Sequence, residues 1–128
     1  MFDASVLVRA GIGRSTTARE WTARLNDDLR AYAPELIWIE LANALRLAVR
    51  ANALSRPLAD DVLTTTLQLP IDVLPLAPLC RPALSSALAL GLSAYDACYV
   101  VLADALDAIL VTADRRLADA ASRAELIA

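Results

Sequence analysis

The chain has 128 residues and a formal net charge of −3, and it contains no His and no Lys, since all 12 basic residues are Arg. These absences exclude a Ser-His-Asp or Cys-His relay, a zinc site of two Cys and two His, and a Schiff-base or Walker-type lysine. Carboxylate, hydroxyl and guanidinium groups remain for strong chemistry, and clustered carboxylates suit hard cations such as Mg²⁺ or Mn²⁺.

The first half of the chain is predicted to alternate between strands and helices. Ala18, Trp21 and Leu25 lie on one helical stripe, Pro34 suits the first residue of a helix, and Ser55 suits an N-cap. The predicted elements are a strand over residues 1–8, a helix over 16–25, a strand over 29–32, a helix over 34–50 and a helix from Ser55 to a stop at Pro70.

The second half continues the alternation. Its predicted elements are a strand over 71–74, a helix over 78–90 that ends at Gly91, a helix over 93–106, a strand over 108–112 and a helix over 114–122. Strands that alternate with helices imply parallel βαβ units. We therefore predict a single α/β domain over residues 1–128, a three-layer sandwich with a central parallel sheet of four to five strands flanked by helices.

Apolar residues make up 58% of the chain, but charges interrupt them every few residues. No run approaches the roughly 18 apolar residues of a membrane span, and no signal peptide is visible, so we expect a soluble cytoplasmic protein. Cys80 and Cys98 are too few for a disulfide framework and are predicted to be buried free thiols. The apolar excess favours a homodimer, or a partner's hydrophobic segment, that covers part of the surface.

Four acidic residues map to one edge of the predicted sheet. Asp3 follows the first strand residues, and Asp114 follows the strand that ends in Val111-Thr112. Glu40 lies in the second turn of the helix that follows the second strand, and Asp96 lies in the first turn of its helix. In a parallel α/β sheet, strand C-termini and helix N-termini share the edge where ligands bind. The four carboxylates are therefore predicted to converge on a divalent metal ion.

Each of these acids also has a purely structural interpretation. Ser93 and Asp96 fit a capping box, Asp114 would serve as the N-cap of the last helix, and Asp3 would serve as a turn residue. Glu40 would belong to an exposed stripe, although a charge among apolar neighbours is costly unless it is paired or ligated. Their joint placement on one edge favours the metal site.

Arginines near the acidic motifs are candidates for phosphate contacts. They are Arg9 and Arg14 after the first acid, Arg46 and Arg50 one turn apart, and Arg115 and Arg116 beside the last acid. A solvated surface arginine is the alternative for each pair. The acidic pI argues against binding of nucleic acid by bulk charge, so only a local basic rim is expected.

Four sequence motifs resemble those of PIN domains and, within them, of the small VapC-type ribonuclease toxins. They are Asp3-Ala-Ser-Val-Leu-Val, Glu40-Leu-Ala-Asn-Ala-Leu, Leu92-Ser-Ala-Tyr-Asp-Ala and Val111-Thr-Ala-Asp-Arg-Arg-Leu. Their order and spacing fit the family over nearly the whole chain. Two features depart from it: only two residues precede Asp3, so the start is truncated or the sheet is trimmed, and residues 125–128 leave little for the last strand of some relatives.

The resemblance implies a parallel sheet flanked by helices, metal-dependent endoribonuclease activity and a homodimer. It also implies a cognate antitoxin that blocks the site, with DNA contacted only through that antitoxin. By position, the acidic quartet would be Asp3, Glu40, Asp96 and Asp114, and the auxiliary polar residues would be Ser5, Asn43 and Thr112.

The expected reaction is hydrolysis of an RNA phosphodiester by water bound to Mg²⁺ or Mn²⁺, which needs no His base. Asp3 and Asp96 would be the main ligands, and Glu40 and Asp114 would complete the shell or hold a second ion. Two alternatives remain: a catalytically idle module that binds RNA or a protein, and a nuclease that acts on DNA. A phosphoreceiver domain is disfavoured because that family needs a Lys.

Overall fold

A computed structural model describes all 128 residues, which form seven helices and four short strands. In chain order they are α1 (Ala4–Gly11), α2 (Thr16–Ala23), β1 (Ala31–Pro34), α3 (Ile37–Arg50), α4 (Arg56–Thr66), β2 (Ile71–Leu74), α5 (Ala77–Leu90), α6 (Ala94–Ala105), β3 (Leu110–Thr112), α7 (Arg115–Ala120) and β4 (Ala124–Leu126). The predicted alternation of strands and helices is confirmed.

The strands form two parallel pairs, β1 with β2 and β3 with β4. The first residues of the chain lie between the pairs. Phe2 forms a parallel bridge with Val111 of β3, and its amide donates a hydrogen bond to the carbonyl of Tyr32 in β1 at 3.1 Å. The resulting order is β2, β1, the N-terminal segment, β3 and β4. The parallel α/β architecture is thus the one predicted.

The predicted strand over residues 1–8 is wrong beyond its first residues, because α1 begins at Ala4. Asp3 is extended and acts as the N-cap of α1, and its carboxylate accepts hydrogen bonds from the amides of Ser5 and Val6. A carboxylate that satisfies these otherwise unpaired donors stabilises the first turn. The apolar run Val6-Leu7-Val8 was therefore misread as a strand, and two of its residues, Val6 and Leu7, are buried on one face of a helix.

Pro34 does not begin a helix as predicted but is the last residue of β1, in register with Leu74. The amide of Glu35 donates to the carbonyl of Leu74 at 2.9 Å, so the pairing continues past Pro34 and α3 begins only at Ile37. At the other end of the chain, β4 forms where little room for a strand was expected, in parallel with β3.

Six of the 12 residues of helix α6 are buried, and they include Ala97, Cys98 and Tyr99. It packs along α5 and against β1 and β3, which places its first turn at the sheet edge. Both cysteines are free as predicted, but Cys80 is exposed. No single helix has the length and apolar character to cross a membrane, and α5 and α6 meet that test only together, across a bend of 107°.

Candidate metal and active site

Asp3 is the most firmly held acid at the sheet edge, with only 7% of its surface exposed. Its Oδ1 accepts hydrogen bonds from the hydroxyl of Ser5 at 2.5 Å and from the amides of Ser5 and Val6 at 3.1 and 3.4 Å. Its Oδ2 accepts one from the hydroxyl of Thr112 at 2.7 Å. A carboxylate offers about four acceptor positions, so Oδ2 keeps one free for a further partner.

The hydroxyls of Ser5 and Thr112 connect Asp3 to the loop that follows β3. The Ser5 hydroxyl accepts a hydrogen bond from the amide of Ala113, and the Thr112 hydroxyl accepts one from the amide of Asp114, both at 2.9 Å. Thr112 is completely buried. The two hydroxyls predicted as auxiliary groups thus contact Asp3 directly and fix the backbone that precedes α7.

Glu40 and Asp96 lie in the first turns of α3 and α6, where the helix dipole favours a carboxylate. Glu40 is half-buried, and its Oε1 accepts a hydrogen bond from the hydroxyl of Tyr99 at 2.8 Å. Asp96 is half-buried, and its amide donates to the hydroxyl of Ser93 at 3.1 Å. Ser93 is therefore the N-cap of α6, but the predicted capping box is only half formed, because the Asp96 carboxylate accepts no bond in return.

The charges of three acids influence one another. Burial raises the pKa of Glu40, the Tyr99 hydrogen bond opposes that rise, and the charges of Asp3 and Asp96 raise it further. Burial also raises the pKa of Asp3, against the hydrogen bonds from Ser5 and Thr112. Without a cation, the edge therefore carries mutually repelling carboxylates.

Tyr99 was missed by sequence reasoning. It lies one turn beyond Asp96, so the spacing of three on a helix places both on neighbouring positions of α6. That spacing was the available signal, but nothing in the sequence pairs Tyr99 with Glu40. Burial and the charge of Glu40 raise the pKa of Tyr99, so its hydroxyl stays protonated and acts as the donor.

Asp114 is exposed at the rim of the site and is turned toward its own helix. Its Oδ1 accepts hydrogen bonds from the amides of Arg116 and Leu117 at 2.8 and 3.4 Å, which confirms the predicted N-cap role. Only the Thr112 hydroxyl, which accepts from its amide, connects it to Asp3.

The prediction that all four carboxylates form one tight cluster is met only in part. As the side chains are placed, no three acidic or cysteine groups lie close enough to share one ion. The side chain of Asp114 already serves the amides of α7, while Asp3, Glu40 and Asp96 interact through their charges. The donor set of carboxylates and hydroxyls fits a hard divalent cation in its chemistry. Because the Asp96 carboxylate accepts no hydrogen bond within the chain, it is the acid that is free to turn toward an ion held by Asp3 and Glu40.

The side chains of the predicted arginines and of Asn43 form no hydrogen bond or ion pair with the four carboxylates. Arg14 and Arg115 are exposed and form no ion pair, and Arg9 is half-exposed. Arg116 donates a hydrogen bond to the carbonyl of Gly91 at 3.0 Å, which ties it to the end of α5. Asn43 is exposed, and its side-chain oxygen accepts a hydrogen bond from Nε of Arg46 at 3.1 Å rather than meeting a carboxylate.

A separate groove of about 320 Å³ lies between α3 and α4 and contains none of the four acids. Three arginines line it above an apolar floor: Arg46, Arg50 and Arg56. Arg56 forms an exposed ion pair with Asp60 at 3.6 Å. The candidate site is thus an open edge of the sheet and is distinct from this groove.

Comparison with known proteins defines the class of this fold and site. Residues 1–123 match the model of the PIN domain, and the chain belongs to the PIN-domain family. It is 37% identical over 90 residues to the VapC ribonuclease Mb0985 of Mycobacterium bovis and to Ribonuclease VapC9 of Mycobacterium tuberculosis, which covers 70% of this chain and 69% of each relative. The fold is similar to the crystal structure of PAE2754 from Pyrobaculum aerophilum, with a TM-score of 0.77 and 28% identity over 97% of this chain and 86% of that chain. These similarities confirm the resemblance of the chain to VapC-type PIN domains.

Proposed function

We propose that the protein is a metal-dependent endoribonuclease that hydrolyses RNA phosphodiester bonds and acts as the toxin of a toxin-antitoxin pair. The observation that carries the proposal is the placement of Asp3, Glu40 and Asp96 at one edge of the sheet, where the charges of Asp3 and Asp96 raise the pKa of Glu40. A divalent cation would relieve that repulsion. The curated relatives that bear the name ribonuclease support the choice of RNA as the substrate.

Asp3 and Asp96 are the proposed main ligands of Mg²⁺ or Mn²⁺, and Glu40 and Asp114 complete the shell or hold a second ion. When bound, the ion supplies an activated water and neutralises charge on the phosphoryl group, which removes the need for a His base. The hydroxyls of Ser5 and Thr112 orient Asp3 so that the unused position on Oδ2 is available.

The substrate would be held by guanidinium groups that are accessible on the surface. Arg9, Arg14 and Arg115 form no ion pair within the chain, so they are available to phosphate oxygens. Arg116 would contribute with its remaining donors. Because the net charge is −3, these contacts would act locally, and binding of RNA would weaken steeply with salt.

A cognate antitoxin and a second copy of the chain are the proposed protein partners, with the cytoplasm as the compartment and DNA reached only through the antitoxin. Exposed large apolar side chains support a covered surface. Ile39, Leu88 and Tyr95 expose 70%, 78% and 69% of their surface. Large exposed apolar patches commonly mark interaction sites.

The test is cleavage of a structured RNA by the purified protein in Mn²⁺, beside Asp96→Asn and beside excess chelator. We expect the unmodified protein to give cleavage products in Mn²⁺. These products should be absent with Asp96→Asn and in excess chelator. The rival is a catalytically idle PIN-fold module, which is favoured by the lack of three side chains poised to share one ion. RNA that is retained by the protein without metal-dependent products would select that rival.

A further inference from the structure

Tyr99 joins the two helices that carry Glu40 and Asp96. Its hydroxyl donates a hydrogen bond to Oε1 of Glu40 at 2.8 Å, across 59 positions of the chain. The residue is 2% exposed and has one of the largest side chains in the core. A phenylalanine would fill the same space without a polar atom to satisfy, so packing alone does not account for the hydroxyl.

The hydrogen bond leaves the two oxygens of Glu40 in different situations. Oε1 is occupied by Tyr99, whereas Oε2 forms no hydrogen bond within the chain. The carboxylate is also repelled by the charges of Asp3 and Asp96. Without the Tyr99 hydroxyl, no hydrogen bond within the chain would hold the Glu40 carboxylate in place.

Helix α6 thereby controls two acids at once. Asp96 is carried by its first turn, and Tyr99 one turn later holds Glu40 of α3. Asp96 and Tyr99 lie three positions apart on one continuous helix, so their backbones keep a fixed spacing. The same helix therefore supplies Asp96 and the group that holds Glu40.

We propose that Tyr99 is a positioning residue of the metal site, whose hydroxyl fixes Oε1 of Glu40 so that Oε2 is presented to the cation. Tyr99 contacts neither the cation nor RNA. The inference rests on the proposed function, since it assigns Glu40 a role toward the same cation. It adds to the site a residue that lies outside the four acidic motifs.

The experiment compares Tyr99→Phe with the unmodified protein by calorimetric titration with Mn²⁺ alone and by RNA cleavage over a range of Mn²⁺ concentrations. Loss of a partner that orients a metal ligand typically weakens metal affinity about 10- to 100-fold. We expect a weakening of that size, an unchanged KM for RNA, and a kcat that recovers as Mn²⁺ is raised. Tyr32→Phe is the control, because Tyr32 lies on β1, is 41% exposed and forms no hydrogen bond through its hydroxyl.

A double-mutant cycle with Glu40→Gln separates positioning from a general effect on the fold. If Tyr99 acts through Glu40, then Tyr99→Phe causes little further loss of Mn²⁺ affinity once Glu40 is replaced. An equal loss in both backgrounds, or wild-type Mn²⁺ affinity in Tyr99→Phe, would overturn the inference while the unmodified protein still cleaves RNA. An unmodified protein that neither binds Mn²⁺ nor cleaves RNA would overturn the proposed function as well. Metal-free melting curves show that each variant is folded.

Discussion

Asp3 and Glu40 stand at the same edge of the sheet but are held in different ways. Asp3 accepts four hydrogen bonds that occupy both of its oxygens, from the helix that it caps and from Thr112 on β3. Glu40 accepts one, and the carboxylate of Asp96 accepts none. The Asp3 side is therefore preformed. On the other, adjustable side, Tyr99 holds Oε1 of Glu40, and only the Asp96 carboxylate is free to turn toward a bound cation.

The largest expected effect comes from removing the preformed ligand. Asp3→Asn should reduce metal-dependent cleavage of RNA by more than about 100-fold, beyond the range for partners that only orient a ligand. Single-turnover cleavage in Mn²⁺ measures the effect, and Asp61→Asn on the exposed face of α4 is the control. Cleavage by Asp3→Asn at the rate of the control would remove Asp3 from the mechanism.

Metal binding should also appear as stability. Mn²⁺ at about a hundred times its dissociation constant should raise the free energy of unfolding by about 2.7 kcal/mol, because the ion binds only the folded chain. Thermal melts with and without Mn²⁺ measure this gain, which should vanish in Asp3→Asn. A melting temperature that Mn²⁺ leaves unchanged would contradict the metal site.

The rigidity of the Asp3 side can be broken at Thr112. Thr112→Val leaves Oδ2 of Asp3 and the amide of Asp114 without their partner, and should cost about 1–3 kcal/mol of stability. Chemical denaturation of the metal-free protein is the measurement. Thr66→Val is a matched control, since Thr66 is also buried but its hydroxyl bonds only to the carbonyl of Val62 in its own helix. An equal loss of stability in the two variants would contradict a particular role of Thr112 in holding Asp3.

The smallest effect should be a pH dependence that originates on the adjustable side. Burial and nearby charge raise the pKa of Glu40 above its ordinary value of 4.5, so in acid the folded chain holds this proton more firmly than the unfolded chain does. The contribution of Glu40 to the stability of the metal-free protein is then greatest below that ordinary pKa. It falls as the pH rises through the raised pKa of the folded state.

The difference in free energy of unfolding between the unmodified protein and Glu40→Gln should therefore decrease from about pH 4 toward pH 7. Urea denaturation at several pH values measures it, with the exposed Glu35→Gln as control. A difference that stays constant, or that grows with pH, would contradict the raised pKa of Glu40.

Much of the fold could be predicted from the sequence because its signals are local. Several helix ends lie where the sequence predicts them. Ser55 and Ser93 begin helices by accepting hydrogen bonds from nearby backbone amides, and Gly91 ends a helix with a left-handed φ. The start of α1 was not predictable in this way. The same apolar residues fit a strand or a helix, and the choice depends on how the Asp3 carboxylate is used.

The site was predictable in its residues but not in its geometry. Asp3, Glu40 and Asp96 share an edge because strand and helix ends do so in parallel α/β folds. Two features depend on contacts that the spacing of residues along the sequence does not encode. The hydrogen bond between Tyr99 and Glu40 joins residues 59 positions apart. The carboxylate of Asp114 turns toward the amides of α7. Competition between such partners is decided only after the chain has folded.

The hydroxyl of Thr112 donates to Asp3 and accepts from the amide of Asp114, so a change at one end of this chain of bonds is transmitted to the other. An ion that draws electron density from the Asp3 carboxylate would alter the polarisation of that amide proton. Its resonance in a nitrogen-proton correlation spectrum of the ¹⁵N-enriched protein would then report occupancy by Mg²⁺, which is diamagnetic.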